Sequence, residues 1–475
     1  MGLKTKIYDF LSTLLVFCLL VSLVCLSFVY MFSFGTGDKA KFDSDDMEAL
    51  EQNFAAAGYM DAAGTENIIP LFVGVSLAQE EKRTGAFSGN VLKDMYADSF
   101  EIVWQYLAHG TAQAVSDMGA SDYIRMAKNN GFIYIKYASA YPKSVIVSFS
   151  RKDTFALNIS DEYIDALFVF KNNYTDSVCV LTVSETGNNY LYTGSFGFDE
   201  NFNKNIVNEY NNAEGTFNFF FSSEKESDVF ISKEKFFSAV SPNAVILDGD
   251  VFLDALSFTR VSDRLASRGS YDRLLSLFTL NPEKISVFTE SNGTRTFFEE
   301  GQNVSIAVDG SVKYSAVGAG GMNIGGVIGY RSETGEYSLR DKIGATLCIV
   351  KEMTEIAYLS DSLSARLSGI FYDENDNLVI TYSAAYNGVP VISEEAFFSF
   401  TISGNTIKSV FCNMFDVSPY GDSVLPNAVW EYISYAAADE KSRGARLIPA
   451  YAYDEDAEYV YARYYSSCAY GEVEE

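Results

Sequence analysis

The sequence contains very little of what most catalytic and metal sites need. Its 475 residues include a single histidine, His109, and six cysteines without a C-x-x-C pair. A Ser-His-Asp triad, a Cys-His pair or a histidine zinc site would have to use His109. That residue lies at a predicted helix end before Gly110, where an imidazole can bond the last carbonyls. No serine lies in a G-x-S-x-G motif. We therefore predict that the protein is not an enzyme.

Basic residues and prolines are also scarce. The chain has 35 Lys and Arg against 63 Asp and Glu, for a formal net charge of −28. Nucleic-acid binding depends on clustered basic residues, so we predict no nucleic-acid ligand. The acidic balance indicates a solvated surface, with cation binding or a basic partner as the alternative. Only eight prolines, together with 15% aromatic residues, argue against disorder.

One long hydrophobic stretch lies at the N-terminus. No charged residue occurs between Phe10 and Phe34, which exceeds the roughly 20 residues that cross a bilayer. Lys4 and Lys6 precede this stretch and Asp38 follows it, so the positive-inside rule puts the N-terminus in the cytoplasm. We expect a single-pass protein of the cell membrane, extracytoplasmic from about residue 38. A cleaved signal peptide is the alternative, but its apolar region would be shorter and would end in an A-x-A-like site.

Small residues follow one side of this predicted transmembrane helix. Cys18, Ser22 and Cys25 are spaced four and three residues apart, and small faces let transmembrane helices pack closely. These three residues are the predicted partner-binding site. The alternative is a helix that faces lipid and tolerates small residues.

The remaining chain predicts an α+β protein with antiparallel sheets, each covered by helices. The predicted organisation is a tail and anchor at 1–37, a first domain at 38–238 and a second at 239–475. The second divides into a hairpin at 285–317 and a helix with a meander at 341–465. In the predicted strand containing Phe398, Phe400 and Ile402, serine and threonine occupy the alternate positions, which is typical of a sheet with one buried and one solvated face.

Further elements follow from the same patterns. Helices are predicted at 89–110, at 117–129, around 271–278, at 342–359 and at 426–438. In the first of these, one apolar side contains Val91, Met95, Ile102 and Leu107. A strand is predicted through GFIYIKYASAYPKSVIVSF (131–149), and a meander is predicted for ALFVFKNN, SVCVLTVSETGNNYLYTG and TFNFFFSS in that order. Cys179 and Cys412 fall at core positions of strands. A disulfide between some pair of cysteines is left open.

No segment predicts a cofactor or metal site. The acidic stretches DENDN (373–377) and DEDAE (454–458) could bind Ca²⁺ loosely but lack the calcium-loop pattern, so they are interpreted as solvated turns. The loop GAGGMNIGGVIG (318–329) departs from the dinucleotide fingerprint at Asn323 and is interpreted as a flexible connector. No carboxylate pair stands out for glycoside hydrolysis. Two uses of four tyrosines are left open, with core and cross-strand packing favoured over ring stacking on a ligand: Tyr382, Tyr386, Tyr451 and Tyr453.

Four segments together resemble the YycH/YycI family, the membrane-anchored regulators of the WalK sensor histidine kinase in Gram-positive bacteria. They are NGFIYIKYASAYPKSVI, LLSLFTLNPEKISVFTESNGTRTFFEEGQNVSIAVDGSVKYSA, ITYSAAYNGVPVISEEA and VLPNAVWEYI. The first is similar to the family's short strand before an x-Pro turn, and the second to its hairpin after an asparagine-proline step. The third and fourth resemble its late hairpin and closing helix. The C-terminus differs, because YVYARYY and an acidic tail replace a Pro-aromatic ending.

This resemblance implies a function in signal transduction. Members of the family are not enzymes and act through transmembrane helix pairing and outer-domain contacts. The implied partners are a sensor histidine kinase and a paralogous regulator. The alternative function, from the residues themselves, is an extracytoplasmic module that binds a small ligand or a cell-wall fragment.

Overall fold

The computed structural model describes residues 68–466, all within one compact unit that spans residues 54–475. The gaps within this range are 69, 78–82, 116–130, 151–161, 173–176, 185–188, 195, 197–204, 206–208, 211–212, 214, 222–244, 249–252, 266–267, 283–284, 300, 319, 330–331, 333–334, 422–446 and 455–456. The predicted anchor and the predicted helices at 117–129 and 426–438 lie outside the described residues. Within those residues, no helix is both long enough and apolar enough to cross a membrane.

The N-terminal part forms a nine-stranded antiparallel sheet, here called the first sheet, with strand order β3-β7-β6-β5-β4-β1-β2-β8-β9. Its strands are β1 (Phe72–Ser76), β2 (Arg83–Ala86), β3 (Thr111–Ala114), β4 (Phe132–Pro142), β5 (Tyr163–Asn172), β6 (Ser177–Val183), β7 (Tyr190–Thr193), β8 (Phe217–Phe221) and β9 (Val245–Asp248). Two helices accompany them, α1 (Gly89–His109) and α2 (Lys143–Ser150).

Helix α1 packs on the first sheet through a stripe of apolar side chains at helical spacing. Met95, Ile102 and Leu107, which the sequence predicts on one side, are all buried, while Val91 is partly buried. The helix contacts β1, β2, β6 and β7, so it crosses the sheet. Burial of this stripe supplies most of the stability of such a helix.

Two glycines let aromatic rings lie against the first sheet. Gly74 of β1 and Gly85 of β2 are direct cross-strand partners. A Cβ atom on Gly74 would lie 2.5 Å from the Phe219 ring, and one on Gly85 would lie 2.3 Å from the Phe72 ring. Side chains at these positions would therefore displace the rings, which pack edge to face with centroids 4.9 Å apart.

The C-terminal part forms the second sheet, which has twelve strands and follows the order β11-β12-β13-β14-β20-β19-β17-β18-β22-β23, with β15 on β20 and β16 on β17. Its strands are β11 (Ser286–Thr289), β12 (Arg295–Glu299), β13 (Gln302–Ile306), β14 (Val312–Ala316), β15 (Met322–Asn323), β16 (Leu363–Tyr372), β17 (Leu378–Tyr386), β18 (Val389–Ile392), β19 (Phe398–Ser403), β20 (Thr406–Cys412), β22 (Leu447–Ala452) and β23 (Arg463–Ser466). Separately, β10 (Leu256–Arg260) pairs with β21 (Phe415–Pro419).

The helices of this part are α3 (Ser262–Leu265), α4 (Arg268–Leu277), α5 (Ile324–Ile328) and α6 (Leu339–Ile356). Helix α6 begins with a capping box in which the Ser338 hydroxyl accepts from the Asp341 N–H and the Asp341 carboxylate accepts from the Ser338 N–H. Such boxes satisfy two backbone donors that a helix start leaves open. Its buried face includes Ile343, Leu347 and Ile349.

These elements confirm the predicted α+β class, and they correct several details. All strand pairs between described residues are antiparallel except β18 with β22. The strands β5, β6 and β7 form the predicted meander, but TFNFFFSS does not continue it, because β8 pairs with β2 and β9 at the other end of the sheet. The first sheet extends to Asp248, and the hairpin and the later meander share the second sheet. The domain boundaries stay a prediction.

The strand predicted through residues 131–149 is also wrong in its second half. Strand β4 ends at Pro142, and the following residues form α2. Proline lacks an N–H and suits the end of a strand or the start of a helix. Val145, Ile146 and Val147 are buried, and α2 contacts α1 and β4. This tertiary burial overrides the β-propensity of three consecutive β-branched residues.

The two sheets meet where β4 approaches β16. The hydroxyl of Tyr141 donates a hydrogen bond to the carbonyl of Leu367. Nearby, the N–H of Gly89 donates to the carbonyl of Asn387 over 3.3 Å. Gly388 has φ +93°, and a Cβ atom there would lie 3.1 Å from Cα of Ser88. The β17–β18 turn therefore packs against the start of α1.

Candidate functional site

The residues of the predicted transmembrane interface are not among those described. Cys18, Ser22 and Cys25 all precede residue 68. Their assignment as a partner-binding face stays a prediction.

His109 lies where the sequence predicts it. It is the last residue of α1 and is exposed, and Gly110 follows as the cap. Its ring packs edge to face against Trp104 with centroids 5.7 Å apart. Within the described part of the chain, no group of three or more His, Cys, Asp or Glu side chains is arranged to hold a metal ion.

The predicted core cysteines are buried. Cys179 and Cys412 are 1% and 0% exposed, and Cys348 is partly buried. Cys348 and Cys412 are free thiols. Burial raises the pKa of the Cys348 and Cys412 thiols, because the charged thiolate loses its hydration.

Of the two uses that the sequence left open for the four tyrosines, core packing is confirmed and the ligand-stacking surface is not. Tyr382, Tyr386 and Tyr451 are 0%, 5% and 1% exposed. The Tyr382 hydroxyl lies 2.6 Å from Oγ1 of Thr346 on α6, and the Tyr451 hydroxyl donates to the carbonyl of Asp254 over 2.8 Å. Desolvation raises the pKa of both phenols. These rings join helix to sheet and strand to loop, which is the alternative that the sequence left open.

Tyr453 completes this core packing. Its ring stacks on Phe415 with centroids 4.4 Å apart and an interplanar angle of 19°. It also packs edge to face against Phe258 of β10. The tyrosine therefore ties the C-terminal segment to the β10–β21 pair.

A different set of tyrosines, which the sequence pattern does not predict, lies on the surface. Tyr420 stacks on Tyr459 with centroids 4.9 Å apart, and Tyr461 packs against Tyr459 at 5.2 Å. Each is more than a third exposed. The Tyr420 hydroxyl donates to the Glu458 carboxylate over 2.6 Å, which raises the pKa of Tyr420. The alternation of Tyr459 and Tyr461 was visible in the sequence, but their distant neighbour Tyr420 was not.

The acidic stretch DENDN forms a turn, as predicted. The Asp373 carboxylate accepts from the N–H groups of Asn375 and Asn377 and from the Asn377 side chain. These hydrogen bonds lower the pKa of Asp373, with the Asn377 side chain contributing most. Asp376 has φ +59°, as its place in a tight turn requires. In the second stretch, the Asp454 carboxylate accepts from the N–H of Ala457.

The glycine-rich loop is more ordered than a flexible connector. Its residues include β15, which pairs with β20, and the short helix α5. The Lys408 ammonium donates to the carbonyls of Gly318 and Gly320 over 2.9 and 2.6 Å. These contacts hold the loop against the second sheet, so the interpretation as a flexible connector is corrected.

An open cleft lies between this loop and helices α4 and α6. Its volume is about 1040 Å³. At its rim Arg273 forms an ion pair with Glu352 at 2.6 Å, and Glu355 lies 3.9 Å from the same guanidinium. The remaining lining is mainly apolar and includes Leu277, Met322, Val327, Cys348 and Ile349. The cleft therefore combines an apolar lining with a charged rim.

The second sheet has a broad solvated face, as the alternation in β19 predicts. Phe398, Phe400 and Ile402 are buried, while the serine and threonine residues between them are partly exposed. Register places these alternate positions in two rows that cross eight strands, from β16 to β11. We call the surface formed by these two rows the open face. The first row consists of Phe371, Val379, Thr401, Ser409, Ser315, Asn303, Phe298 and Ser286. The second row consists of Gly369, Thr381, Ser399, Phe411, Lys313, Ser305, Thr296 and Phe288.

Most of the open face is accessible. Of its members only Thr296 is buried, and Phe288, Phe298 and Phe371 are 59%, 45% and 48% exposed. At about 4.8 Å between strands, eight strands span roughly 33 Å. The centre of the surface carries mainly hydroxyl groups together with Phe411 and Lys313, and exposed aromatic rings lie toward its edges.

Comparisons with known proteins give one distant structural similarity. No family model matches the chain, and no curated protein matches it. The chain is similar in structure to the crystal structure of YycH from Bacillus subtilis, with a TM-score of 0.46 and 10% sequence identity. The similarity covers 82% of this chain and 91% of the YycH chain.

Proposed function

We propose that this protein is a membrane-anchored, non-enzymatic accessory regulator of a two-component sensor histidine kinase. The observation that carries the proposal is the open face, because a rigid sheet roughly 33 Å wide presents hydroxyl groups and exposed aromatic rings to solvent. Aromatic side chains amid polar groups are common at protein interfaces. The uncharged stretch from Phe10 to Phe34 and the four family-like segments support the same function.

The proposed arrangement has the N-terminus in the cytoplasm and residues from about 38 outside the membrane. The anchor pairs with a kinase helix through Cys18, Ser22 and Cys25, while the open face contacts the kinase's outer domain. A paralogous regulator is the second proposed partner. In this arrangement the regulator acts on the kinase by contact alone.

The open face is tested by co-purification of the kinase with variants at its centre. Thr401→Arg and Ser409→Arg place long charged side chains at cross-strand partners in the middle of the face. We expect each to lower kinase recovery severalfold without loss of membrane insertion. Thr354→Arg, at a partly exposed position of α6 outside the open face, is the matched control and should leave recovery unchanged. Full recovery with both sheet variants would refute a docking function for this face.

The anchor is tested separately. Ser22→Leu with Cys25→Leu keeps the stretch hydrophobic but removes close helix approach, so kinase recovery should fall by the equivalent of about 1 to 2 kcal/mol. Bulky changes at Leu20 and Val24, on another side, serve as controls. Protease added to intact protoplasts should digest the chain beyond residue 38. Protection of that region would contradict the proposed topology.

The cleft favours a second candidate function, an extracytoplasmic ligand-binding module. Its apolar lining and the Arg273 guanidinium at its rim suit a small amphipathic ligand. A Cβ atom on Gly326 would meet no neighbour within 4 Å, so Gly326→Leu can narrow the cleft without a clash. If the cleft binds cell-wall fragments, a mixture of muropeptides should raise the melting temperature of the parent but not of this variant.

A further inference from the structure

Strand β11 is the end strand of the second sheet, and its outer edge is exposed. Its four residues, Ser286–Thr289, are all exposed, and no described strand pairs with that edge. Proteins usually protect such edges with charges, prolines, bulges or a covering element. The sequence SVFT contains neither charge nor proline, and its pairing with β12 has no bulge. This edge is therefore able to accept another strand.

The backbone groups that face outward follow from the alternation of an antiparallel ladder. The N–H of Glu290 donates to the carbonyl of Thr294 over 2.8 Å, just beyond β11. Hydrogen-bonded pairs recur every second residue, so Phe288 pairs with Thr296 and Ser286 with Phe298 in this way. The N–H and C=O groups of Val287 and Thr289 therefore point away from β12.

The side chains around this edge form an exposed apolar patch. Val287 and Phe288 are 56% and 59% exposed, and Phe298 on the neighbouring strand is 45% exposed. Phe288 and Phe298 belong to the open face, while Val287 points to the opposite side of the sheet. Phe288 and Phe298 are diagonal neighbours on one face, and exposed apolar neighbours of this kind are typical of interaction sites.

We propose that a second copy of this chain docks on β11 and extends the sheet across a two-fold axis through Phe288. In this antiparallel register Val287 exchanges both of its backbone hydrogen bonds with the partner's Thr289, and Thr289 does the same with the partner's Val287. Phe288 then lies opposite the partner's Phe288 in a non-hydrogen-bonded pair, the kind in which side chains are closest.

A second copy fits this edge because the edge is self-complementary. The two residues with outward backbone groups flank Phe288 symmetrically, so one register satisfies both copies and keeps each open face on the same side. Isologous contacts of this type produce closed dimers. The strand itself brings no like charges together at the centre. The overall charge of −28 opposes association, so screening by salt should strengthen the dimer.

Cysteine cross-linking of the full chain in detergent micelles tests both the dimer and its register. Opposed Cα atoms in a non-hydrogen-bonded pair lie about 4.5 Å apart, within the range that disulfides span. Phe288→Cys should therefore cross-link to a dimer severalfold more than the parent chain, whose native cysteines set the background. Val287→Cys and Thr289→Cys are the register controls. Each would lie about 7 to 8 Å from its own copy and should stay at background alone.

Sedimentation provides the second measurement. Phe288→Lys should convert the dimer to a monomer, while Val308→Lys, at an exposed apolar residue in the β13–β14 turn, should not. Raising the salt concentration should increase the parent's dimer fraction. Cross-linking of Phe288→Cys no greater than that of Val287→Cys, or a monomeric parent, would overturn the proposal. If Phe288→Cys cross-links to a different protein and no dimer forms, the proposal is overturned. The strand that pairs with β11 would then belong to another protein. Kinase recovery is not part of this test, so its outcome is independent of the proposed function.

Discussion

Tyr314 shows how much a single buried phenol contributes to this core. Its ring stacks on Phe278 of the α4 region with centroids 5.0 Å apart and an interplanar angle of 6°. Its hydroxyl donates to Oε1 of Gln302 over 2.6 Å, although the side chain is fully buried. Burial raises the pKa of Tyr314 to about 12. The Tyr314 ring therefore joins the α4 region to the sheet, and its burial disfavours ionisation of the phenol.

Tyr314→Phe should change stability in a pH-dependent way. Near pH 8 the variant should lose about 1 kcal/mol, the typical net value of one hydrogen bond. The phenol has a higher pKa in the folded chain than in the unfolded chain. Its contribution is therefore complete below pH 10 and is lost as the pH rises toward about 12. Urea unfolding of both proteins from pH 8 to 12 should show the difference shrinking. A constant difference would contradict this assignment.

Among the elements, α6 offers the clearest dependence on one residue. The Ser338 hydroxyl accepts from the Asp341 N–H at 3.2 Å and completes the capping box. Ser338→Ala should lower the free energy of unfolding by about 0.5 to 2 kcal/mol, because the donor at the helix start loses its acceptor.

Thermal unfolding of two controls separates capping from a general effect of substitution. Ser338→Gly should cost only a few tenths of a kcal/mol, since glycine is tolerated as a cap. Thr354→Ala, at a partly exposed position near the other end of the same helix, should stay within about 0.5 kcal/mol of the parent. Equal losses for Ser338→Ala and Thr354→Ala would argue against the capping box.

Elements were predictable where local pattern and tertiary burial agree. The alternation in β19, the apolar stripe of α1 and the turn at Asp373 all follow from short-range chemistry. The partner of β8 could not be predicted, because the sequence of residues 216–223 is compatible with pairing to β7 and with pairing to β2. Helix α2 was missed because its burial against α1 outweighs its β-branched sequence.

The candidate sites divide in the same way. The open face could be predicted because period-two alternation exposes every second residue of a strand. The cleft, the surface tyrosines and the edge of β11 depend on contacts between residues distant in sequence. Tyr382, Tyr386 and Tyr451 were open to two interpretations because a tyrosine on a strand packs inward or outward with equal local propensity. Core packing is distinguished from ligand stacking only by the positions of α6 and of the loop at Asp254, which these tyrosines contact.

For the whole molecule, the charge of −28 has a measurable consequence. Like charges at this excess repel each other in the compact state. We expect the melting temperature to rise by a few degrees as NaCl increases from low concentration. The rise should level off near physiological ionic strength, where the screening length is about 8 Å. Melting curves across a salt series test this. A fall in melting temperature, or a linear rise without a plateau, would show that self-repulsion is not the dominant effect.

The pairing of β10 with β21 governs the order in which the chain can assemble. Ser257 and Ser418, whose hydroxyls lie 2.9 Å apart, are separated by 161 residues, and Leu256 bonds further along the chain to Val460. A nascent chain therefore carries β10 without its partner until roughly 160 further residues have been synthesised. During that interval β10 and its neighbours remain unpaired and exposed. Non-local strand pairing is slow, so such intermediates are open to aggregation. Termination of synthesis before β21 would therefore leave β10 without its partner and the fold incomplete.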